Sequence, residues 1–177
     1  MRGHLFMGEN GQEYILRAAT QEHLALAEQW TLRDPFHCAT TPAAFWIEQS
    51  RSERGAGAQS YLLEDSNGPL FFFKITELAQ AAIEMHIQFD AQSYDARNCR
   101  GTKLRTLRGL VDGFAWLEKR LAESSIYAVY FTSRNPALIR FCCARLKFEV
   151  IEGWTEEKLL RHRIAVGEPM KLNLARG

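Results

Sequence analysis

Residues 83–103 read Ile83-Glu84-Met85-His86-Ile87-Gln88-Phe89-Asp90-Ala91-Gln92-Ser93-Tyr94-Asp95-Ala96-Arg97-Asn98-Cys99-Arg100-Gly101-Thr102-Lys103. The first seven residues alternate. Ile83, Met85, Ile87 and Phe89 share one face of a strand, and Glu84, His86 and Gln88 share the other. A polar loop, Asp95 to Lys103, follows. From Thr102 the period becomes helical, with Leu104, Leu107, Val111, Phe114, Leu117 and Leu121 recurring every three or four residues to about Glu123. A basic, glycine-containing turn between a strand and a helix is a physical device for holding phosphate. Helix N-termini present unpaired N–H donors and the positive end of the dipole, and a small residue lets an anion approach.

Downstream, Ser125 to Thr132 is apolar and rich in β-formers, a buried strand by pattern. Asn135-Pro136 then opens a helix, with a capping amide followed by proline at the first helical position. Leu138, Ile139, Phe141 and Leu146 would form its inner face. Strands are expected at Phe148–Ile151 and Met170–Leu174, and residues 155–169 fit either a helical turn or a long hairpin. Upstream, Tyr14–Ala18 reads as a strand and Thr20 as the cap of a helix bearing Leu24, Leu26, Ala27 and Trp30. Thr41-Pro42 reads as a second helix start, with Phe45, Trp46 and Ile47 on its apolar face. Asp65-Ser66-Asn67-Gly68 is a hairpin turn. The run Leu70-Phe71-Phe72-Phe73 after it predicts a central strand buried on both faces. Strands interleaved with helices argue a mixed sheet covered by helices on both faces.

This order of elements resembles the GNAT (Gcn5-related N-acetyltransferase) superfamily across essentially the whole chain. The resemblance implies a single domain over residues 1–177, built on a mixed, mostly antiparallel central sheet. It implies an N-acetyltransferase that uses acetyl-CoA as cosubstrate and acylates an amine on a small molecule or a protein. In that family a Gln/Arg-x-x-Gly-x-Gly/Ala turn binds the CoA pyrophosphate. Here Gly101 matches the last small position, with Cys99 and Ala96 at the earlier ones. A slipped register puts Arg97, Arg100 and Thr102 in those places. Arg97, Arg100 and Lys103 add cationic partners for phosphate. The resemblance places the thioester carbonyl at the backbone of Ile87, Gln88 and Phe89, and Asn135 beside the pantetheine. The family's base is a carboxylate in the strand that carries Glu84 and His86. Its proton-donating tyrosine falls at Cys142, and the glycine of its Gly-Phe pair at Lys147. A thiol has a lower reference pKa than a phenol, about 8.5 against 10. These departures support an alternative, a GNAT-fold module that has lost catalysis and serves in binding or assembly.

Other features read more plainly. With 46% hydrophobic residues in 177, the chain can bury one good core. A net charge of +1 gives no field that would steer it to nucleic acid or an anionic membrane. No apolar run approaches the roughly 20 residues of a bilayer span, and no secretory leader is evident, so the expectation is cytoplasmic. Cys38, Cys99, Cys142 and Cys143 include no C-x-x-C pair, and no metal site is expected. Adjacent Cys142 and Cys143 would diverge by about 100° on a helix, one packing inward. Asp34-Pro35-Phe36-His37 reads as a proline-containing turn. A homodimer is compatible with the resemblance. No hydrolase elbow, zinc-protease helix or P-loop pattern is present.

Overall fold

The computed structural model describes residues 3–37, 41–51, 57–78, 81–90, 100–154 and 168–174, the side chains of 100–103 and 168 excepted. The strands are β1 (His4–Met7), β2 (Glu13–Ala18), β3 (Ala58–Asp65), β4 (Gly68–Leu78), β5 (Ala82–Gln88), β6 (Ala128–Ser133), β7 (Glu149–Val150) and β8 (Glu168–Asn173). The helices are α1 (Leu24–Arg33), α2 (Arg100–Ala122) and α3 (Pro136–Leu146). Hydrogen bonding links the strands in the order β1-β2-β3-β4-β5-β6-β8-β7, a mixed, mostly antiparallel sheet. β1–β2, β2–β3, β6–β8 and β7–β8 are antiparallel, whereas β5 and β6 run parallel. Among the described residues no helix is long and apolar enough to cross a membrane.

The chain divides into two compact units. One comprises Met1–Ser50, Gln59–Lys74 and Ile87–Trp116, and the other comprises Arg51–Ala58, Ile75–His86 and Leu117–Gly177. In the first unit both faces of the sheet are covered, as the aromatic run predicts. Phe72 and Leu62 join Ala19, Ala27, Trp30 and Trp46 in a buried cluster beneath α1. Phe71 and Leu63 face α2. A Cβ added at Gly109 would lie 2.8 Å from Leu70 Cδ1, and one at Gly113 would lie 3.4 Å from Leu63 Cδ2. These two glycines, one turn apart, let α2 sit close on the sheet.

The stripe of α2 is therefore rotated from the expected one. Thr106, Leu110, Phe114 and Leu117 are buried, whereas Leu104 is 49% exposed. Glycine carries no hydrophobic signal, so periodicity alone misplaces the contact face. The hairpin is as expected: Asp65 Oδ1 accepts the Asn67 N–H at 2.7 Å, and Gly68 adopts φ 106°. Arg105 of α2 clamps it from outside the turn, its Nε 2.6 Å from Asp65 Oδ2 and one terminal NH2 2.7 Å from the Gly68 carbonyl.

Thr20 caps as expected, but through a capping box with His23 that opens a 3-10 turn, Gln21–His23, ahead of α1. The expected helix after Thr41-Pro42 is only a 3-10 turn, Ala43–Trp46, with Pro42 at its cap rather than at its first position. Trp46 is driven into the core at 1% exposure, and Phe45 and Ile47 pack against the same cluster. Anchoring three consecutive apolar residues there leaves no face for a longer amphipathic helix. The chain beyond is tied down by Gln49, whose amide donates to the Ala19 carbonyl at 2.7 Å.

In the second unit Leu138, Cys142 and Leu146 are the buried side of α3. Phe148 packs edge-on against Phe131 of β6, with ring centroids 6.2 Å apart. The ambiguous stretch 155–167 lies outside the described residues.

Candidate active site

The polar face of β5 is buried, as the alternation requires for a central strand. Glu84 is 3% exposed and Gln88 is 0% exposed. A buried polar face is costly unless each group finds a partner. Glu84 and His86 find each other, Oε2 to Nε2 at 3.3 Å.

Gln88 finds a residue far away in sequence. Its Nε2 donates to Asp34 Oδ2 at 2.9 Å and to the Phe89 carbonyl at 3.0 Å. Asp34 also accepts the Phe36 N–H at 2.9 Å on Oδ1 and lies 2.9 Å from His37 Nδ1 on Oδ2. A carboxylate only accepts, so His37 carries a proton on Nδ1, and in the neutral ring Nε2 is the acceptor. Burial pushes the Asp34 carboxyl up, but the bonds from His37, Phe36 and Gln88 outweigh it and hold the group below its usual range. His37 presents its ring edge-on to Trp46, with centroids 5.3 Å apart.

The plain reading of residues 34–37 as a turn is thus half of what they do. Asp34 ends α1 and terminates in a buried network. The available signal was an acidic residue and a histidine three apart beside a proline, which is too common to be specific.

Lys74 was also missed. It is 3% exposed, with Nζ 3.0 Å from the Phe45 carbonyl, 3.4 Å from Glu48 Oε2 and 3.8 Å from the centre of the Phe45 ring. Desolvation lowers its pKa despite Glu48. Its signal was a cation ending an aromatic run that reads as buried on both faces.

The other predicted positions fall as follows. The β5–β6 register runs from Ala82↔Ala128 to Met85↔Phe131, and β5 continues to Gln88, so Ile87–Phe89 follow the last register pair. Arg97 lies outside the described residues. Arg100, Gly101, Thr102 and Lys103 form the first turn of the α2 backbone. Asn135 caps α3, its Oδ1 accepting from Ala137 N at 3.0 Å and Leu138 N at 3.3 Å. Cys142 has no exposed surface, and burial pushes its thiol up to about 12. The lower intrinsic pKa that recommended a thiol as proton donor is reversed by the core around it. Cys143, half-buried, rests 4.0 Å from Met170 Sδ. Lys147, at the family's glycine position, holds φ 58°. Among the described residues no cluster of His, Cys, Asp or Glu could hold a metal.

Solved structures of acetyltransferases share this fold over nearly the whole chain. The GNAT domain of S. lividans PAT matches at TM-score 0.57 and 9% identity, over 97% of this chain and 97% of its own. Spermidine N-acetyltransferase from Vibrio cholerae, solved with CoA and spermine, matches at 0.56 and 14%, over 92% and 96%. The ribosomal-protein-S18-alanine N-acetyltransferase from Escherichia coli matches at 0.54 and 16%, over 93% and 96%. No protein-family model matches the sequence, and no curated protein does. At these identities the likeness is one of fold, and the fold is that of the GNAT acetyltransferases.

Proposed function

We propose that this chain is a single GNAT-like acyltransferase domain that moves an acetyl group from acetyl-CoA to an amine of a small molecule or a protein. The observation that carries the reading is the order β5, α2, β6, α3 within a mixed sheet where β5 and β6 run parallel. The pyrophosphate would lie on the N–H groups opening α2 at Arg100 to Lys103, with Arg97 as a further cation. The thioester carbonyl would meet the backbone at Ile87–Phe89, and pantetheine would pass Asn135. The resemblance offers Glu84 or His86 as the base. Their side chains lie in contact, Nε2 to Oε2 at 3.3 Å.

Acetyl-CoA should raise the melting temperature and give a calorimetric isotherm, because a ligand that binds only the native state stabilises it by mass action. Gly101→Glu should abolish both by setting a carboxylate against phosphate. A flat isotherm for the parent protein at millimolar acetyl-CoA would sink the proposal.

A second reading, a GNAT-fold binding module without catalysis, draws on the burial of Cys142 at the position of the usual donor. It predicts a measurable CoA isotherm with no release of free thiol for any amine offered.

A further inference from the structure

Three buried side-chain polar atoms have no hydrogen-bond partner among the described residues: Thr31 Oγ1, Trp46 Nε1 and Gln88 Oε1. All three belong to residues touching one pair. The Thr31 carbonyl accepts the Asp34 N–H at 3.3 Å, the Trp46 ring meets His37, and the Gln88 amide bonds Asp34. Orphaned buried polar atoms are rare and costly. Of the three, Gln88 Oε1 sits on the amide that bonds Asp34, and it is polar capacity beside the Asp–His pair that the described residues leave unused.

We propose that His37 is the proton acceptor for the incoming amine, with Asp34 and Gln88 as its positioning residues; this rests on the acyltransfer reading above. Both amide protons of Gln88 are used, on Asp34 and on the Phe89 carbonyl, which identifies the remaining amide atom as Oε1, buried and without a bond among the described residues. The reverse orientation would set oxygen against a carboxylate and a carbonyl. His37 Nδ1–H is likewise spent on Asp34. Within the hydrogen-bonded network the unused atoms are acceptors, Gln88 Oε1 and, in the neutral ring, His37 Nε2, which suits a donor such as a primary ammonium; the orphaned Trp46 Nε1–H beside His37 would take an acceptor. His37 is also the more accessible base: its side chain is 31% exposed, against 4% for Glu84 and 15% for His86, which are bonded to each other. A base that meets a substrate from solution needs that access. Gln88 joins the dyad to the end of β5, where the thioester carbonyl is expected.

The step balances as follows. Nε2 takes one proton from the ammonium, and the freed lone pair attacks the thioester carbon. The C–N bond forms, the C–S bond breaks, and the second amine proton goes to the departing thiolate. The imidazolium then releases its proton to water.

Bromoacetyl-CoA is the probe. It places an alkylating carbon beside the carbonyl, and a neutral Nε2 displaces bromide. Peptide mapping should find the label on His37. Asp34→Asn should slow labelling at least tenfold while the acetyl-CoA isotherm is unchanged. An asparagine that keeps its oxygen on the Phe36 N–H turns its NH2 toward His37 and forces the proton onto Nε2. The ¹⁵N shift of Nε2 in that variant should move to the protonated position, a change that simple loosening of the fold would not give. His37→Gln, at a half-exposed position, provides a folded control without label. Label on Glu84 or His86, or none, with the isotherm intact, overturns the proposal alone. A flat isotherm removes the acyltransfer reading and this proposal with it.

Discussion

Lys147 holds φ 58° at the end of α3, where its N–H bonds back to the Cys142 carbonyl. A left-handed residue with a Cβ costs roughly 1–2 kcal/mol, which is why glycine is usual at such a position. Lys147→Gly should stabilise the protein by about 0.5–1 kcal/mol in urea, the remainder being offset by the greater freedom of glycine in the unfolded chain. Five residues earlier, Cys142 should resist iodoacetamide in the native state with or without acetyl-CoA. Cys142→Tyr should cost about 1–3 kcal/mol by overpacking a site with no free surface. Rapid alkylation that acetyl-CoA blocks would return the thiol to the site. Asp34 adds a pH dependence. Its folded pKa is lowered, so its stabilisation is present above the unfolded carboxylate range, about pH 4, and is lost as pH falls through the lower folded value. Asp34→Asn should flatten that part of the acid limb in denaturant titrations from about pH 7 to about pH 3.

At the scale of elements, α2 serves two ends. Its N-terminal turn is the proposed phosphate cradle, and its middle is pressed to the sheet through Gly109 and Gly113. Gly109→Val would put a branched side chain where even one carbon meets Leu70 Cδ1 at 2.8 Å. A loss of about 1–3 kcal/mol is expected. If Gly109→Val melts like the parent, α2 is not held by that contact. Because the contact lies two turns from Gly101, the shifts that acetyl-CoA produces should persist in Gly109→Val and vanish in Gly101→Glu. That contrast separates damage to packing from damage to the ligand site.

At the scale of the molecule, catalysis needs a bound cosubstrate and a base, and the two are separable. Offered acetyl-CoA and a panel of amines, the parent should release free thiol with at least one acceptor. His37→Gln should lower that turnover by roughly 10²–10⁴-fold, the range of general-base contributions, with acetyl-CoA affinity intact. Glu84→Gln and His86→Gln, made in parallel, test the assignment implied by the family resemblance. Glu84 is buried on β5 and His86 is largely covered, so a drop in melting temperature without a specific loss of turnover would mark them as core partners.

Local chemistry determined much of this protein. The alternation of Ile83 to Phe89, the Asn67-Gly68 turn, the Asn135-Pro136 cap and the aromatic run of β4 each act over a few residues, so their elements are legible in the sequence. The GNAT order of elements follows from them. The contact face of α2 was misplaced because two glycines, which carry no apolar signal, decide how closely the helix approaches. The helix expected after Pro42 shrank to one turn because the core claims Phe45, Trp46 and Ile47 together. The Asp34–His37–Gln88 network was out of reach because it joins residues 54 positions apart. Neither end has a local reason to be more than a turn and a strand residue. Hydrogen-bond satisfaction in a buried place is a property of the assembled neighbours, and only the tertiary structure brings those neighbours together.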